Sequence, residues 1–271
     1  MTSPAPGAPD RIRFGRLSLA TGVSLHYAEK GQQGNTPLVF LHGFADSCRS
    51  FLSVIESLSH GRNAIAIDLR GHGDSDKPED GYSMADFTQD LLLFIDARGL
   101  DKVHLVGHSM GCFIALSFAA LHPDRVARLV LIGAAPCAVH NAAIMEIKPL
   151  IDELKDPLER DFVKDFQATG NPVPAEFMET IIAETMKVPA RVWRSVSTEL
   201  LRTDLRPILH AIAAPTLIMW GNQDMIFRRG DQETLLSHIP DSTLKEFDAG
   251  HALHWEKPKE VAAALESFLP G

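Results

Sequence analysis

The stretch KVHLVGHSMGCFIALSFAAL, residues 102–121, decides the fold. Residues 103–106 form a short apolar run of strand length, and residues 110–121 continue without proline as a helix. Between them lies Gly107-His108-Ser109-Met110-Gly111. A serine hydroxyl is a weak nucleophile unless it is exposed, oriented and deprotonated by a neighbour. A sharp strand-to-helix turn lifts Ser109 above the sheet edge but crowds the residues beside it, which suits glycine at 107 and 111. A bare G-x-S-x-G arises often by chance. The strand before it and the helix after it supply the required context.

The pattern extends in both directions. Upstream, residues 11–20 and 22–29 read as two strands around Thr21-Gly22, and a short apolar strand then ends in His42-Gly43-Phe44. Residues 48–59 have helical spacing, with Phe51, Leu52, Ile55 and Leu58 on one face. A buried strand over 63–68 leads into the loop 70–78, and Ser83 is placed to cap a helix running to Arg98. Downstream, residues 126–133 are a further strand. The rhythm breaks over 134–206, where helical patterns are punctuated by prolines 149, 157, 172, 174 and 189. It resumes with a strand at 215–221, a helix near 232–238, a strand at 243–247 and a closing helix at 258–268. This alternation predicts an α/β fold with a mostly parallel, doubly wound sheet. Residues 1–133 and 207–271 form the core domain, and 134–206 form a helical insertion capping it.

Composition removes several classes of function. A net charge of −9 without a basic stripe argues against nucleic acid. Three cysteines, an odd number without metal-type spacing, fit reduced thiols and a cytoplasmic setting better than a disulfide framework. No run reaches the roughly 20 apolar residues that cross a bilayer, so no membrane partner is expected. The first residues carry no apolar signal segment and read as a loose tail.

A serine nucleophile needs a base and a group to orient it. His251 directly follows the strand at 243–247, whereas His254 falls on the next turn and reads as a packing residue. Asp224 follows the strand at 215–221, which gives the chain order Ser109, Asp224, His251. The loop after the strand at 126–133 reads Ala134-Ala135-Pro136 and offers no carboxylate, and Asp248 is close enough to His251 to suit a turn-capping role. Backbone N–H groups of Phe44 and Met110 are the expected oxyanion donors. His72, Asp74 and Asp76 could be imagined as metal ligands, but the loop reads as structural and no metal site is expected.

With these residues in place, the chain resembles the α/β-hydrolase superfamily, in its serine-nucleophile branch with a helical cap. The resemblance rests on His42-Gly43-Phe44, the loop DLRGHGDS at 68–75, residues 107–111, Asp224 and Gly250-His251, and it spans most of the chain outside the insertion. It implies hydrolysis through an acyl-enzyme, with no metal or organic cofactor. Cys112 stands where many relatives have glycine, and Met225-Ile226-Phe227 lacks a proline often found after the acid. Serine rather than aspartate at 109 points away from dehalogenases and epoxide hydrolases of this fold and towards acyl substrates. The leading expectation is a carboxylesterase or lactonase for a small-to-medium apolar substrate. Trp193, Phe162 and Phe166 are its candidate substrate contacts, although packing the insertion onto the sheet is an equal use for Trp193. The alternatives are a carbon–carbon bond hydrolase of diketone ring-cleavage products, a cofactor-free perhydrolase and a slow-turnover ligand receptor.

Overall fold

The apolar runs assemble into one eight-stranded sheet of order β1-β2-β4-β3-β5-β6-β7-β8. The computed structural model describes residues 11–31 and 35–270; the tail expected over residues 1–10 lies outside them. Strands β1 (Arg13–Ser18) and β2 (Ser24–Lys30) form an antiparallel hairpin, and β2 pairs antiparallel with β4 (Ala64–Ile67). From β4 onward, β3 (Leu38–Leu41), β5 (Val103–His108), β6 (Val126–Ile132), β7 (Thr216–Gly221) and β8 (Ser242–Phe247) are parallel neighbours.

Alternation along each strand divides the interior. Val39 and Leu41 join one apolar cluster with helices α2 (Met84–Ala97) and α3 (Met110–Leu121). Leu38 and Phe40 join the other, with α1 (Leu52–Ser57) and α10 (Pro258–Phe268). Both faces are therefore covered, which explains why β3 and β4 are apolar throughout and why all three of β3, β4 and β5 are buried along their length. Ser83 caps α2 as expected: its hydroxyl accepts from Asp86 N–H at 3.2 Å, and Asp86 accepts from Ser83 N–H at 2.9 Å.

Between β6 and β7 the chain leaves the sheet for α4 (Ala142–Asp152), α5 (Arg160–Phe166), α6 (Ala175–Thr185) and α7 (Ala190–Leu200). The exit and return are stitched together. Ala138 N–H donates to Thr203 O at 3.0 Å and Leu205 N–H to Pro136 O at 2.9 Å. Three details depart from the sequence reading. The helix expected over 48–59 is a 3-10 turn, Cys48–Phe51, followed by α1. Helix α8 (Arg229–His238) starts at Arg229, because the Asp231 carboxylate accepts from Arg228 N–H at 2.8 Å and closes its first turn. A short unforeseen helix, α9 (Leu253–Glu256), follows β8.

Candidate active site

Ser109 occupies the turn from β5 into α3 with φ 50° and ψ −114°, a conformation that non-glycine residues rarely adopt. Its surroundings enforce it. A Cβ on Gly107 would lie 2.5 Å from Gly111 O, and one on Gly111 would lie 2.2 Å from Leu41 O. Both flanking positions are thus closed to any side chain, as the turn's crowding predicted. Met110 is the first residue of α3, so its N–H belongs to the first-turn donors without an intrahelical acceptor.

The loop after β3 comes in from the side. A Cβ on Gly43 would sit 2.8 Å from His108 Nδ1 and 3.4 Å from Ser109 Cβ, so glycine permits the approach that brings Phe44 to the same cavity. The loop is held by His42, whose Nδ1–H donates to Gly43 O at 2.7 Å while Nε2 accepts Leu69 N–H at 3.0 Å. Complete burial lowers the His42 pKa to about 4, which keeps the ring neutral and able to accept.

Asp224 and His251 meet across the loops after β7 and β8. His251 Nδ1 lies 2.8 Å from Asp224 Oδ2, while Asp224 Oδ1 accepts from Ile226 N–H at 2.8 Å and Phe227 N–H at 3.0 Å. The carboxylate is buried and fully engaged, and it holds the ring with Nε2 free. The two loops are joined by Asn222 N–H to Phe247 O and Gln223 N–H to Ala249 O. A Cβ on Gly133, where φ is +55°, would lie 3.1 Å from His251 Nδ1, so glycine there lets the histidine loop close onto β6. Asp248 accepts from Gln223 Nε2 at 2.7 Å; it braces the Asp224 loop from outside.

Ser109 and His251 line a single cavity of ≈ 420 Å³, together with Phe44 and Met110. That volume suits a small molecule. The Ser109 hydroxyl has no hydrogen-bond partner among the described residues and is partly exposed. Phe166 lines the cavity. Trp193 does not, and the expectation that it would stack on substrate is corrected. It is wholly buried, with its ring 5.0 Å from Phe44 and 4.6 Å from Phe166, so it anchors the insertion to the loop after β3. Phe162 likewise packs against Trp193 at 5.5 Å, outside the lining.

Asp46 is a site neighbour that sequence reasoning missed. It lines the cavity, yet it is buried and Oδ2 has no partner. Burial raises its pKa to about 8 despite the Ser47 N–H bond. His108 and His254 sit beside it, all three offering ligand-type atoms within 4.8 Å of one another. Burial drives both histidines well below the ordinary range. His254 packs between Phe51 and His108, with ring separations of 4.8 and 4.2 Å, in keeping with the packing role expected of it. His108 Nε2 faces His251 O at 3.3 Å. The only sequence signal for this cluster was three polar residues beside apolar stretches, which does not reveal their meeting. Cys112 is a packing residue: burial pushes its thiol up, and Sγ points to Gly107 O at 3.1 Å. His72, Asp74 and Asp76 do not converge. His72 is bonded to Arg70 O, Asp74 to Lys187 and Asp76 to Arg16.

A mostly parallel sheet with a strained serine at the carboxyl edge of one strand, and an Asp–His pair beyond two others, is the arrangement of an α/β hydrolase. The sequence matches the alpha/beta hydrolase fold family over residues 36–181 and 177–258, and the chain belongs to it. It is 27% identical to a monoacylglycerol lipase of Xenopus laevis, covering 97% of this chain and 87% of the relative. It is 28% identical to the 2-hydroxy-6-oxononadienedioate/2-hydroxy-6-oxononatrienedioate hydrolase of Paraburkholderia xenovorans, covering 95% of this chain and 94% of that one. Among solved structures it is similar to an esterase from Exiguobacterium antarcticum, with TM-score 0.85, 26% identity, and coverage of 93% and 98%. No helix among the described residues is long and apolar enough to cross a membrane.

Proposed function

We propose that this chain is a serine hydrolase that cleaves a small-to-medium apolar carboxylic ester or lactone through an acyl-enzyme on Ser109. The observation that carries the reading is the convergence of strained Ser109 and the Asp224-held His251 on one largely apolar cavity. His251 Nε2 takes the hydroxyl proton as Ser109 Oγ attacks the acyl carbon, and then returns it to the leaving alcohol. Asp224 fixes the ring and stabilises its charged form. The N–H groups of Phe44 and Met110 receive the developing oxyanion. Water, activated by the same histidine, then releases the acid. No metal or organic cofactor enters this scheme. Residues 134–206 act as a cap, supplying one wall of the cavity through α4 and α5, which excludes water from the acyl group.

The resemblance to the dioate hydrolase supports a second reading, carbon–carbon bond cleavage by the same serine. One experiment separates both from a binding role. A fluorophosphonate should label Ser109, 4-nitrophenyl esters should turn over many times, and Ser109→Ala should lower kcat on the order of 10⁶-fold. Release of a single equivalent of nitrophenol would mark a slow receptor. Persistent turnover by the variant would remove Ser109 from the chemistry.

A further inference from the structure

The titratable side chains lining the cavity are all carboxyls or imidazoles. Asp46, Asp165 and Glu256 are there, and among the described residues no lysine or arginine is. The opposite wall is apolar, built from Phe113, Ile144, Ile147, Ile151 and Phe227. We infer that the site takes uncharged esters or lactones and rejects substrates that bring a carboxylate into the cavity. This rests on the serine-hydrolase reading and narrows it to a charge class.

A carboxylate that leaves water must find a cation or several donors, or it remains an unpaired buried charge. Here no cation among the described residues lines the cavity, and the buried lining groups that could still donate, Trp255 Nε1–H among them, are neutral. Glu256 Oε2 takes Gly250 N–H and Asn171 Nδ2, each at 2.8 Å, while its Oε1 is buried without a partner. The wall therefore already carries an acceptor in want of a donor. Asp165 adds a like charge at the exposed rim, with no ion-pair partner among the described residues. A second anion several ångströms from such a group is disfavoured by roughly tenfold per neighbour at an effective dielectric of about 20. Lack of a counter-ion adds to that. The diketone products of aromatic ring cleavage that carry carboxylates would meet the same barrier, which favours the ester reading over carbon–carbon cleavage of such acids.

The test uses two substrates of one shape, 4-nitrophenyl methyl adipate and 4-nitrophenyl hydrogen adipate, which differ only by the terminal methyl. At pH 7.5 and low salt, kcat/KM should favour the methyl ester by at least about thirtyfold. Glu256→Gln, which keeps an acceptor for Gly250 N–H, should shrink that ratio several-fold. Asp165→Asn, on the exposed rim, should shrink it about twofold, with added salt doing the same in the wild type. A ratio near one, or a preference for the acid, in the wild-type protein overturns the inference whatever the variants do. Failure of the fluorophosphonate to label Ser109 overturns the serine-hydrolase reading instead, so the two failures are told apart.

Discussion

Among the described residues, two sets of serine, histidine and aspartate are bonded in similar ways, and only one of them faces the cavity. Asp68, just after β4, holds His26 Nδ1 at 2.7 Å and accepts Cys48 N–H at 2.6 Å and Asp74 N–H at 2.8 Å. Asp224, just after β7, holds His251 Nδ1 at 2.8 Å and accepts two backbone N–H groups. The carboxylates are built alike. The hydroxyls are not. Ser75 Oγ accepts His26 N–H at 2.8 Å and donates to Asp68 O at 2.6 Å, and the residue is buried. Ser109 stands on a strained turn beside open volume, with its hydroxyl unengaged. Residue types and an Asp–His bond therefore make a stable buried carboxylate. Reactivity requires, in addition, an uncommitted hydroxyl facing space where a substrate can sit.

The sharpest way to break this contrast is to neutralise each carboxylate in turn. Asp224→Asn should lower kcat by about 10⁴-fold with little change in folding, because the amide favours the wrong tautomer of His251. Asp68→Asn should leave kcat per native molecule within about threefold. Equal losses of kcat in the two variants, measured on protein verified as folded, would show that both sets serve the chemistry.

Stability should rank them differently. Burial alone would raise the Asp68 pKa, but the bonds from His26, Cys48 N–H and Asp74 N–H outweigh it and hold the carboxyl well below its usual range. Asp68→Ala strands His26 and two backbone donors, at a cost of about 3–5 kcal/mol in urea unfolding. A depressed native pKa gives stability that is complete above the unfolded value of about 3.9 and fades as pH falls below it. The gap between wild type and Asp68→Ala should therefore narrow from about pH 5 towards pH 2. A gap that stays constant with pH would mean the charge of Asp68 is immaterial.

Asp46 sharpens the comparison from the other side, since its Oδ2 is buried without any partner. Its pKa is raised to about 8, so the native chain keeps a proton that the unfolded chain releases near pH 4. That linkage has the opposite sign: stability is greatest below about pH 4 and declines as pH rises towards 8. Asp46→Asn should remove the decline, gaining about 2 kcal/mol relative to wild type between pH 5.5 and 7.0. Parallel pH–stability curves for the two proteins would show that Asp46 is ionised in the native state.

Much of this was legible in the sequence because it is local. Gly107 answers a crowding imposed within five residues of chain, although Gly111 answers the distant backbone of Leu41 and His42, and β3 to β6 announced themselves by runs whose length fixes strand over helix. Asp224 and His251 followed from where strands end. Helix α9 escaped notice because four residues are too few to show a period. What folding alone decided depends on faces that meet from afar. Trp193 carries the same aromatic surface whether it lines a pocket or anchors a helix, and only its packing onto Phe44 and Phe166 chose the second. Asp46, His108 and His254 come from a loop, the end of β5 and helix α9, so their contact, and the raised Asp46 pKa it accompanies, has no signature along the chain. The charge of the cavity wall belongs to the same kind of fact. A cavity is the volume left where packed elements fail to meet, and the residues around it share no spacing in sequence.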